Sequence, residues 1–362
     1  MSKIVSLLVN DKVYTGWENA RVARSMDFLS STFDLDVTQA GDFVLSDWQI
    51  KMGDVVKVKY GESEVLTGYV EDLNTSYDDK SHTIQVSGRD KTGDLVDCPR
   101  TNQRKQWDNL SILQLCTQLC SPFGVTVQVD ASARTAAAKK EAQWNYTEGD
   151  AILESLKRLC LKQGIIPLSH GDGKLILTKL GTEYAADRIE RGINILTGGL
   201  KQSNKERFSE YHTKGFGFGN DNKQTKDFIH PKGDASDSVV GRYRPFVIMT
   251  EGASTFGNCK DRAKWESQLR AGNSRSLTYV LAGWEQSNGV LWKLNTLVKV
   301  KDPTWAIEGE FLINSVGFES GSGGSLVALG LVSKQKYEAS AKLDLEKTKT
   351  AFDSIPAAGA PK

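Results

Sequence analysis

The stretch MGDVVKVKYGESEVLTGYV, residues 52–70, decides the fold that the sequence predicts. Val56, Val58 and Tyr60 alternate with two lysines, which is the period-2 pattern of a strand with one buried face. A short polar connection that contains Gly61 separates this strand from a second apolar run. Such a connection between two strands predicts an antiparallel hairpin.

Further strands are predicted on both sides of this hairpin. The segment STFDLDV, residues 31–37, alternates apolar and acidic residues, and strands are also predicted at 3–9, 17–24 and 81–88. Residues 1–99 therefore indicate an all-β domain. We expect it to be a β-barrel, because closure removes the exposed edges of a sheet.

The middle of the chain has the apolar spacing of helices. NLSILQLCTQLCSP, residues 109–122, predicts a helix with Asp108 or Asn109 as its N-cap residue. GDAILESLKRLCLKQ, residues 149–163, predicts a second helix that ends at Gly164. A β-hairpin with a Gly-Asp-Gly turn follows it. The middle of the chain is therefore predicted to be a small α+β domain.

The strand pattern of the first domain recurs later in the chain. When it is shifted by about 244 positions, STFDLDV, which begins at residue 31, falls on RSLTYVL, which begins at residue 275. With small further shifts, VVKVK at 55–59 meets LVKVK at 297–301. The other matched segments are 66–70 with 312–316, 84–86 with 329–331, and Trp48 with Trp292. The repeated VKVK and the matched tryptophans favour an internal duplication over a chance match of two alternating patterns.

Such a duplication has a geometric consequence. Three copies of a chain with two equivalent β domains would present six similar modules in one ring. That ring could meet a six-fold partner on one face and a three-fold partner on the other. A symmetry adapter of this kind requires no catalytic chemistry, so we expect no enzymatic activity, no catalytic residues, no cofactor and no metal.

These patterns together predict an α+β, mainly β protein with two similar β-barrel domains and a small α+β domain between them. We expect the first β-barrel domain at 1–99, the α+β domain at 100–187, the second β-barrel domain at 188–337 and a C-terminal tail at 338–362. Residues 220–272 fit two interpretations, in which they pack either on their own barrel or on the middle domain.

Composition argues against several function classes. Lys+Arg 46 against Asp+Glu 45 gives a net charge of +1, whereas nucleic-acid-binding proteins carry a strong basic excess. No apolar run approaches the roughly 20 residues that span a bilayer. The N-terminal segment lacks a signal-peptide cleavage site, so we expect the chain to stay in the cytosol of the cell that makes it. The five cysteines lie in apolar context and are expected to be buried thiols: Cys98, Cys116, Cys120, Cys160 and Cys259.

The sequence offers few candidates for chemistry. His82, His170, His212 and His230 form no HExxH motif and no pair at metal-ligand spacing. The run GFGFGN at 215–220 lacks the spacing of a phosphate-binding loop, and we expect a glycine-rich strand end there.

Several segments carry a family likeness. GRDKTGDLVDC (88–98), MGDVVKVKYGESEVLTGYVEDL (52–73) and GDAILESLKRLCLKQG (149–164) resemble the baseplate hub proteins of Mu-like contractile phages and prophages. NLSILQLCTQLCSPFGV (109–125) and, further on, RYRPFVIMTE and DRAKWESQLRAG extend the likeness in the same order. It covers most of the chain, roughly residues 1–335.

The resemblance implies a structural component of the virion, made in the cytoplasm of the bacterial host. In that family, two barrel domains of the phage tail hub type give each homotrimer a pseudo-six-fold ring. The implied partners are other copies of the chain, the tail tube protein, a trimeric central spike and further baseplate proteins, and the ring encloses the tail channel. No membrane and no specific nucleic-acid binding are implied. The resemblance does not indicate which residues contact the tube or the spike, so the interface residues stay unknown at this point.

Two features keep other functions open. Eight tryptophans could be core anchors, interface residues or sugar platforms, and the last possibility makes a glycan-binding tail-tip or secretion-spike module the main alternative. The carboxylate pairs Asp34 with Asp36 and Asp78 with Asp79 would suit a cell-wall hydrolase, which is a weaker alternative.

Overall fold

The computed structural model describes residues 3–40, 49–79, 81–101, 105–161, 163–216, 230–253 and 255–338. Strand accounts for 48% and helix for 19% of the structure, so the prediction of a mainly β protein is confirmed. The chain divides into two compact units. Unit 1 comprises residues 1–160, 165–199 and 278–331, and unit 2 comprises residues 161–164, 200–277 and 332–362.

The N-terminal part of unit 1 consists of strands with a regular alternation of buried and exposed side chains. The strands are β1 (Val5–Val9), β2 (Lys12–Tyr14), β3 (Asn19–Ser25), β4 (Thr32–Ala40), β5 (Val55–Tyr60), β6 (Ser63–Tyr77) and β7 (Ser81–Asp90). A short helix, α1 (Gly93–Asp97), follows them. The predicted hairpin is β5 and β6, in which Val56 and Val58 are buried.

The middle of the chain combines helices with short strands. Its elements are β8 (Gln106–Ser111), α2 (Ile112–Cys120), β9 (Val127–Val129), α3 (Arg134–Ala137), β10 (Lys140–Asn145), α4 (Ile152–Leu161), β11 (Ile166–Ser169) and β12 (Leu175–Thr178). Buried residues of α2 and α4 form one core with Trp107 and Trp144. As predicted, α4 is followed by Gly164, whose φ of 62° suits the left-handed end of a helix.

The predicted start of α2 was wrong. We expected Asp108 or Asn109 as the N-cap residue, but the cap is Ser111, whose side chain accepts a hydrogen bond from the Gln114 amide. Gln114 reciprocates through its side chain, which completes a capping box. The residues before it belong to β8, because Trp107 pairs with Trp144 of β10 across a two-stranded sheet.

The remaining described elements belong to both units. They are β13 (Ile189–Glu190), β14 (Ile195–Gln202), β15 (Glu210–Phe216), β16 (Lys232–Ser236), β17 (Pro245–Ala253), α5 (Phe256–Asn273), β18 (Arg275–Ala282), β19 (Leu297–Asp302), β20 (Ile307–Gly321) and β21 (Gly324–Val332). Ser322 and Gly323 form the turn between β20 and β21.

Most strands of the first and last parts of the chain belong to one 13-stranded sheet. Its order is β14-β18-β21-β20-β3-β4-β7-β6-β5-β1-β2, with β19 paired to β20 and β13 paired to β19. The two strand sets meet where β20 pairs antiparallel with β3, so that Phe318 lies opposite Val22.

This pairing corrects the prediction of two closed barrels. Among the described residues, neither strand set closes on itself; both are parts of the same sheet. β20 has 15 residues, which is long enough for two successive partners along one edge. Its first half pairs with β19 of its own set, and its second half reaches β3 of the other set.

Unit 2 contains a separate three-stranded sheet with the order β16-β15-β17. The helix α5 packs on β16 and β15 of this unit, and its Cys259 and Ala263 are fully buried. A Cβ atom at Gly233 of β16 would lie 2.1 Å from the Lys260 amide nitrogen, so only glycine permits this approach.

Candidate assembly interface

Two of the four histidines that the sequence singled out lie beside carboxylates, and a third, His82, stacks on Tyr77. His212 on β15 lies between Asp234 (Nδ1 to Oδ1, 2.7 Å) and Glu210 (Nε2 to Oε2, 3.0 Å), and these hydrogen bonds raise its pKa. His170 is 2.8 Å from Asp172 at a hairpin turn. Within the part of the chain that the structure describes, no group of three or more His, Cys, Asp or Glu residues could hold a metal ion.

Three of the four carboxylates in these pairs, those of Asp34, Asp36 and Asp78, have local hydrogen-bond partners. Asp34 accepts a hydrogen bond from Gln85 (2.7 Å) and Asp36 accepts one from Asn19 (2.8 Å), in both cases across neighbouring strands. Asp78 accepts a hydrogen bond from the Ser81 amide (2.8 Å) in the turn between β6 and β7. These bonds stabilise strand pairs and a turn.

The cysteines and tryptophans mostly belong to the cores. Cys116, Cys120, Cys160 and Cys259 are buried, as predicted, while Cys98 is half-buried. The neighbouring Cys160 thiol and burial raise the pKa of Cys116. Four tryptophans are buried and the other three that the structure describes are half-buried. Packing is therefore their main role; Trp48 and residues 217–220 of the GFGFGN run lie outside the described residues.

The predicted internal repeat matches the strand order of the structure. We call β4 to β7 the first repeat and β18 to β21 the second repeat. In the sheet, the first repeat has the order β4-β7-β6-β5, and the second has the order β18-β21-β20-β19. In both repeats, the strands are arranged in the sheet as first, fourth, third and second. A chance match of two alternating sequence patterns would not predict this shared topology.

The burial of matched residues agrees with this topology. Val56 and Val58 of VVKVK are buried, as are Val298 and Val300 of LVKVK. The matched segments 66–70 and 312–316 share one pattern, in which the first three residues and the last are buried. The cross-strand register differs: Leu297 lies opposite Leu312, whereas its counterpart Val55 lies opposite Tyr69 rather than Leu66.

The junction of the two repeats has an aromatic core. The Trp284 ring stacks on Tyr60 with centroids 4.5 Å apart and lies 5.0 Å from Phe318. The Trp284 indole also donates a hydrogen bond to the Glu319 carbonyl oxygen (2.7 Å). Val22 of β3 is buried in the same strand pairing. The junction is thus a packed joint, which we call the β3–β20 joint.

Comparisons with known proteins agree with this architecture. Family models match residues 4–90 (Mu phage baseplate assembly protein GpP-like, N-terminal), 92–179 (baseplate hub protein gp44-like, second domain) and 255–339 (Mu phage baseplate assembly protein GpP, fourth domain). The baseplate hub protein gp44 of Escherichia phage Mu is 31% identical over 321 residues, which are 87% of this chain and 84% of that protein.

Two solved structures are similar over nearly their whole length. The 43 kDa tail protein of prophage MuSo2 from Shewanella oneidensis has 32% identity and a TM-score of 0.81, with 92% of this chain and 99% of that chain covered. The tail protein from Neisseria meningitidis MC58 has 20% identity and a TM-score of 0.75, with 94% and 99% covered, and it shows the shared fold.

The fold and these relatives define a class, the structural proteins of phage tail baseplates. The chain belongs to the family of baseplate hub proteins of Mu-like phages. It is accordingly a virion component located in the tail baseplate. No helix among the described residues is long and apolar enough to cross a membrane. The relatives do not favour the alternative of a glycan-binding module.

Proposed function

We propose that this chain forms a homotrimeric ring that connects the six-fold tail tube to a trimeric central spike. The ring encloses the tail channel, and the chain acts as a purely structural adapter without catalysis. Its partners are other copies of itself, the tube protein, the spike protein and further baseplate proteins. Synthesis takes place in the cytoplasm of the bacterial host.

The shared strand order of the two repeats carries this proposal. Three copies bring six modules of one topology, and six such modules can be placed around a common axis with nearly equivalent contacts. The three-fold symmetry of the chains remains available to a trimeric partner. A single chain thereby offers both symmetries without any change of fold.

The proposal includes a division of labour along the chain. The β modules at 1–99 and 188–337 form the ring. The α+β module at 100–187 lies between them in the chain, and the tail at 338–362 follows as an additional segment. The family-model matches at 4–90 and 92–179 support the first boundary. Within residues 220–272, β16, β17 and α5 form one unit with β15, separate from the 13-stranded sheet.

The oligomeric state tests the proposal directly. Sedimentation equilibrium of the purified chain should give three times 39.8 kDa over a range of concentrations. Electron-microscopy class averages viewed along the ring axis should show six lobes. A chain that stays monomeric or dimeric at all concentrations, alone and with the tube protein, would contradict the trimeric ring.

The absence of catalysis is tested separately. Zymography on peptidoglycan should show no cleared band for the purified chain. If a band appears and the double substitution Asp78→Ala with Asp79→Ala removes it, the structural role is incomplete. The matched control is Asp34→Ala with Asp36→Ala, the other pair of neighbouring carboxylates.

A further inference from the structure

The two repeats differ in how the second half of their longest strand is paired. In β20, pairing with β19 covers Ile307–Leu312, and pairing with β3 then covers Ser315–Ser320. The change of partner occurs at Asn314, whose carbonyl oxygen accepts a hydrogen bond from the Met26 amide (2.8 Å). The other edge of β20 pairs with β21, so β19 and β3 pair with the same edge of β20, one after the other.

The counterpart strand β6 has the same length and the same first half. Pairing with β5 covers Ser63–Tyr69, and Val70 then exchanges hydrogen bonds with Asp54 (3.0 Å) and Gly53 (2.8 Å). From Glu71 to Tyr77, no described residue pairs with this edge, although β7 pairs with the opposite edge. The first repeat thus has a seven-residue edge without a described partner. By the match of 66–70 with 312–316, its first four residues, Glu71–Asn74, correspond to Gly317–Ser320, which pair with β3 in the second repeat.

The counterpart of β3 is also unpaired on one side. β3 pairs with β4, the first strand of the first repeat, and its other edge pairs with β20. β14 pairs with β18, the first strand of the second repeat, and stands at the end of the sheet order. Its outer edge has no strand partner among the residues that the structure describes.

Both edges expose apolar side chains. Leu196 of β14 is 59% exposed, Ile193 just before it is 66% exposed, and Tyr77 at the end of β6 is 82% exposed. Unpaired strand edges are sites where another chain can add a strand. β3 and β20, which have the corresponding places in the sheet order, already form a packed antiparallel pair inside the chain, so the fold indicates what kind of strand complements each edge.

We propose that β14 of one copy pairs antiparallel with Glu71–Tyr77 of the next copy, which repeats the β3–β20 joint between molecules. The contact is head-to-tail, since each copy supplies one edge of each kind, and such contacts generate a ring when the rotation closes. Closure after three copies rests on the proposed function. The sheet then continues around the ring through alternating joints within and between chains.

Mixed disulfide formation tests the pairing. One preparation carries Thr75→Cys in β6, and a second carries Gly199→Cys, Leu200→Cys or Lys201→Cys in β14. Three consecutive positions sample both faces of the strand, because side chains alternate. After mixing and mild oxidation, a non-reducing gel should show a covalent dimer for at least one combination. A chain with Thr75→Cys and the successful β14 substitution together should give a covalent trimer.

The control places the cysteine on the opposite end of the sheet order. Val13 on β2 is 65% exposed, so a cysteine there is accessible, but Val13→Cys should not crosslink to Thr75→Cys. The parent chain should form no covalent dimers. Sedimentation separates the two hypotheses. A trimer that gives no crosslink at any β14 position, or gives only Thr75–Thr75 pairs, would refute the joint while the ring stands. A chain that never trimerises would refute the proposed function itself.

Hydrogen exchange of the unmodified chain gives an independent readout. Backbone amides of Glu71–Tyr77 and β14 that face the joint should be protected in the trimer, to a degree similar to those of β3. Exposed strand edges exchange quickly when no partner is present. Fast exchange along both edges in a verified trimer would overturn the inference even if a cysteine variant failed to fold.

Discussion

The first and second repeats share a strand order but differ in what surrounds their longest strands. The second half of β20 is packed in the β3–β20 joint, where Val316 and Phe318 are each 1% exposed. In β6, Glu71–Tyr77 is largely exposed. One topology therefore serves two situations: a joint that is complete within the chain, and an edge with which no described residue of the chain pairs. The difference shows that a duplicated module need not have duplicated contacts.

The largest expected effect concerns the aromatic core of the β3–β20 joint. Phe318→Ala should lower the free energy of unfolding by about 3–5 kcal/mol, because it leaves a cavity beside Trp284. By comparison, Thr75→Ala in the exposed second half of β6 should change it by less than about 0.5 kcal/mol. Urea unfolding followed by tryptophan fluorescence measures both. Equal losses would contradict the contrast between closed and open edges.

A buried charged network in the first repeat should be next in magnitude. Asp90 is 2% exposed and accepts hydrogen bonds from the Ser31 amide (2.8 Å) and the Thr92 amide (3.0 Å). Its charge also opposes the lowering of the pKa of Arg24, which burial causes. Asp90→Ala should cost about 3 kcal/mol, since it leaves two buried amide donors without an acceptor and removes one of the two carboxylates whose charges act on the Arg24 guanidinium.

The second repeat provides the control for that prediction. Asp302 is 1% exposed and accepts hydrogen bonds from the Tyr279 hydroxyl (3.1 Å) and the Thr304 amide (3.0 Å), both neutral donors. Asp302→Ala should therefore cost about 1–2 kcal/mol in the same urea titration. A larger loss for Asp302 than for Asp90 would show that the charge on Arg24 is not what makes the first network costly to break.

The smallest effect is an acid dependence beside the first repeat. Burial raises the pKa of Asp172, but hydrogen bonds from Lys174 and His170 outweigh it and lower the pKa to about 2. Because the folded pKa is below the unfolded value of 3.8, the stabilisation is complete above that value and is lost as pH falls towards 2. The difference in melting temperature between the parent chain and Asp172→Asn should shrink over this interval. A difference that is constant from pH 5 to pH 2 would exclude this linkage.

Prediction from sequence succeeded where the pattern was local and periodic. The alternation in VVKVK and LVKVK gave two strands with the correct buried valines, and Gly164 gave the end of α4. It failed where a strand pairing between distant residues outweighed a local signal. Asp108 and Asn109 are good cap residues in isolation, yet both lie in β8, whose Trp107 pairs with Trp144 of β10. The N-cap residue is Ser111, two residues after Asn109, and the helix begins at Ile112.

The candidate interface likewise depended partly on the sequence and partly on the structure. The sequence supplied the duplication, and hence the possibility of a six-module ring, but offered no interface residues. Leu196, Tyr77 and the open half of β6 became candidates only when the structure showed which edges lack a partner among the described residues. Their own sequence signal is weak, because a strand edge is defined by backbone groups and not by side-chain type.

The sequence alone determined the mainly β class, the helical middle region and the repeat of one strand series, because periodicity records which side chains are buried within an element. Only the tertiary structure decided that the two series form one sheet through β3 and β20 instead of two closed barrels. Strand pairing joins residues far apart in the chain through backbone hydrogen bonds. These bonds are nearly the same for every residue type, so sequence specifies the strand and tertiary packing selects its partner.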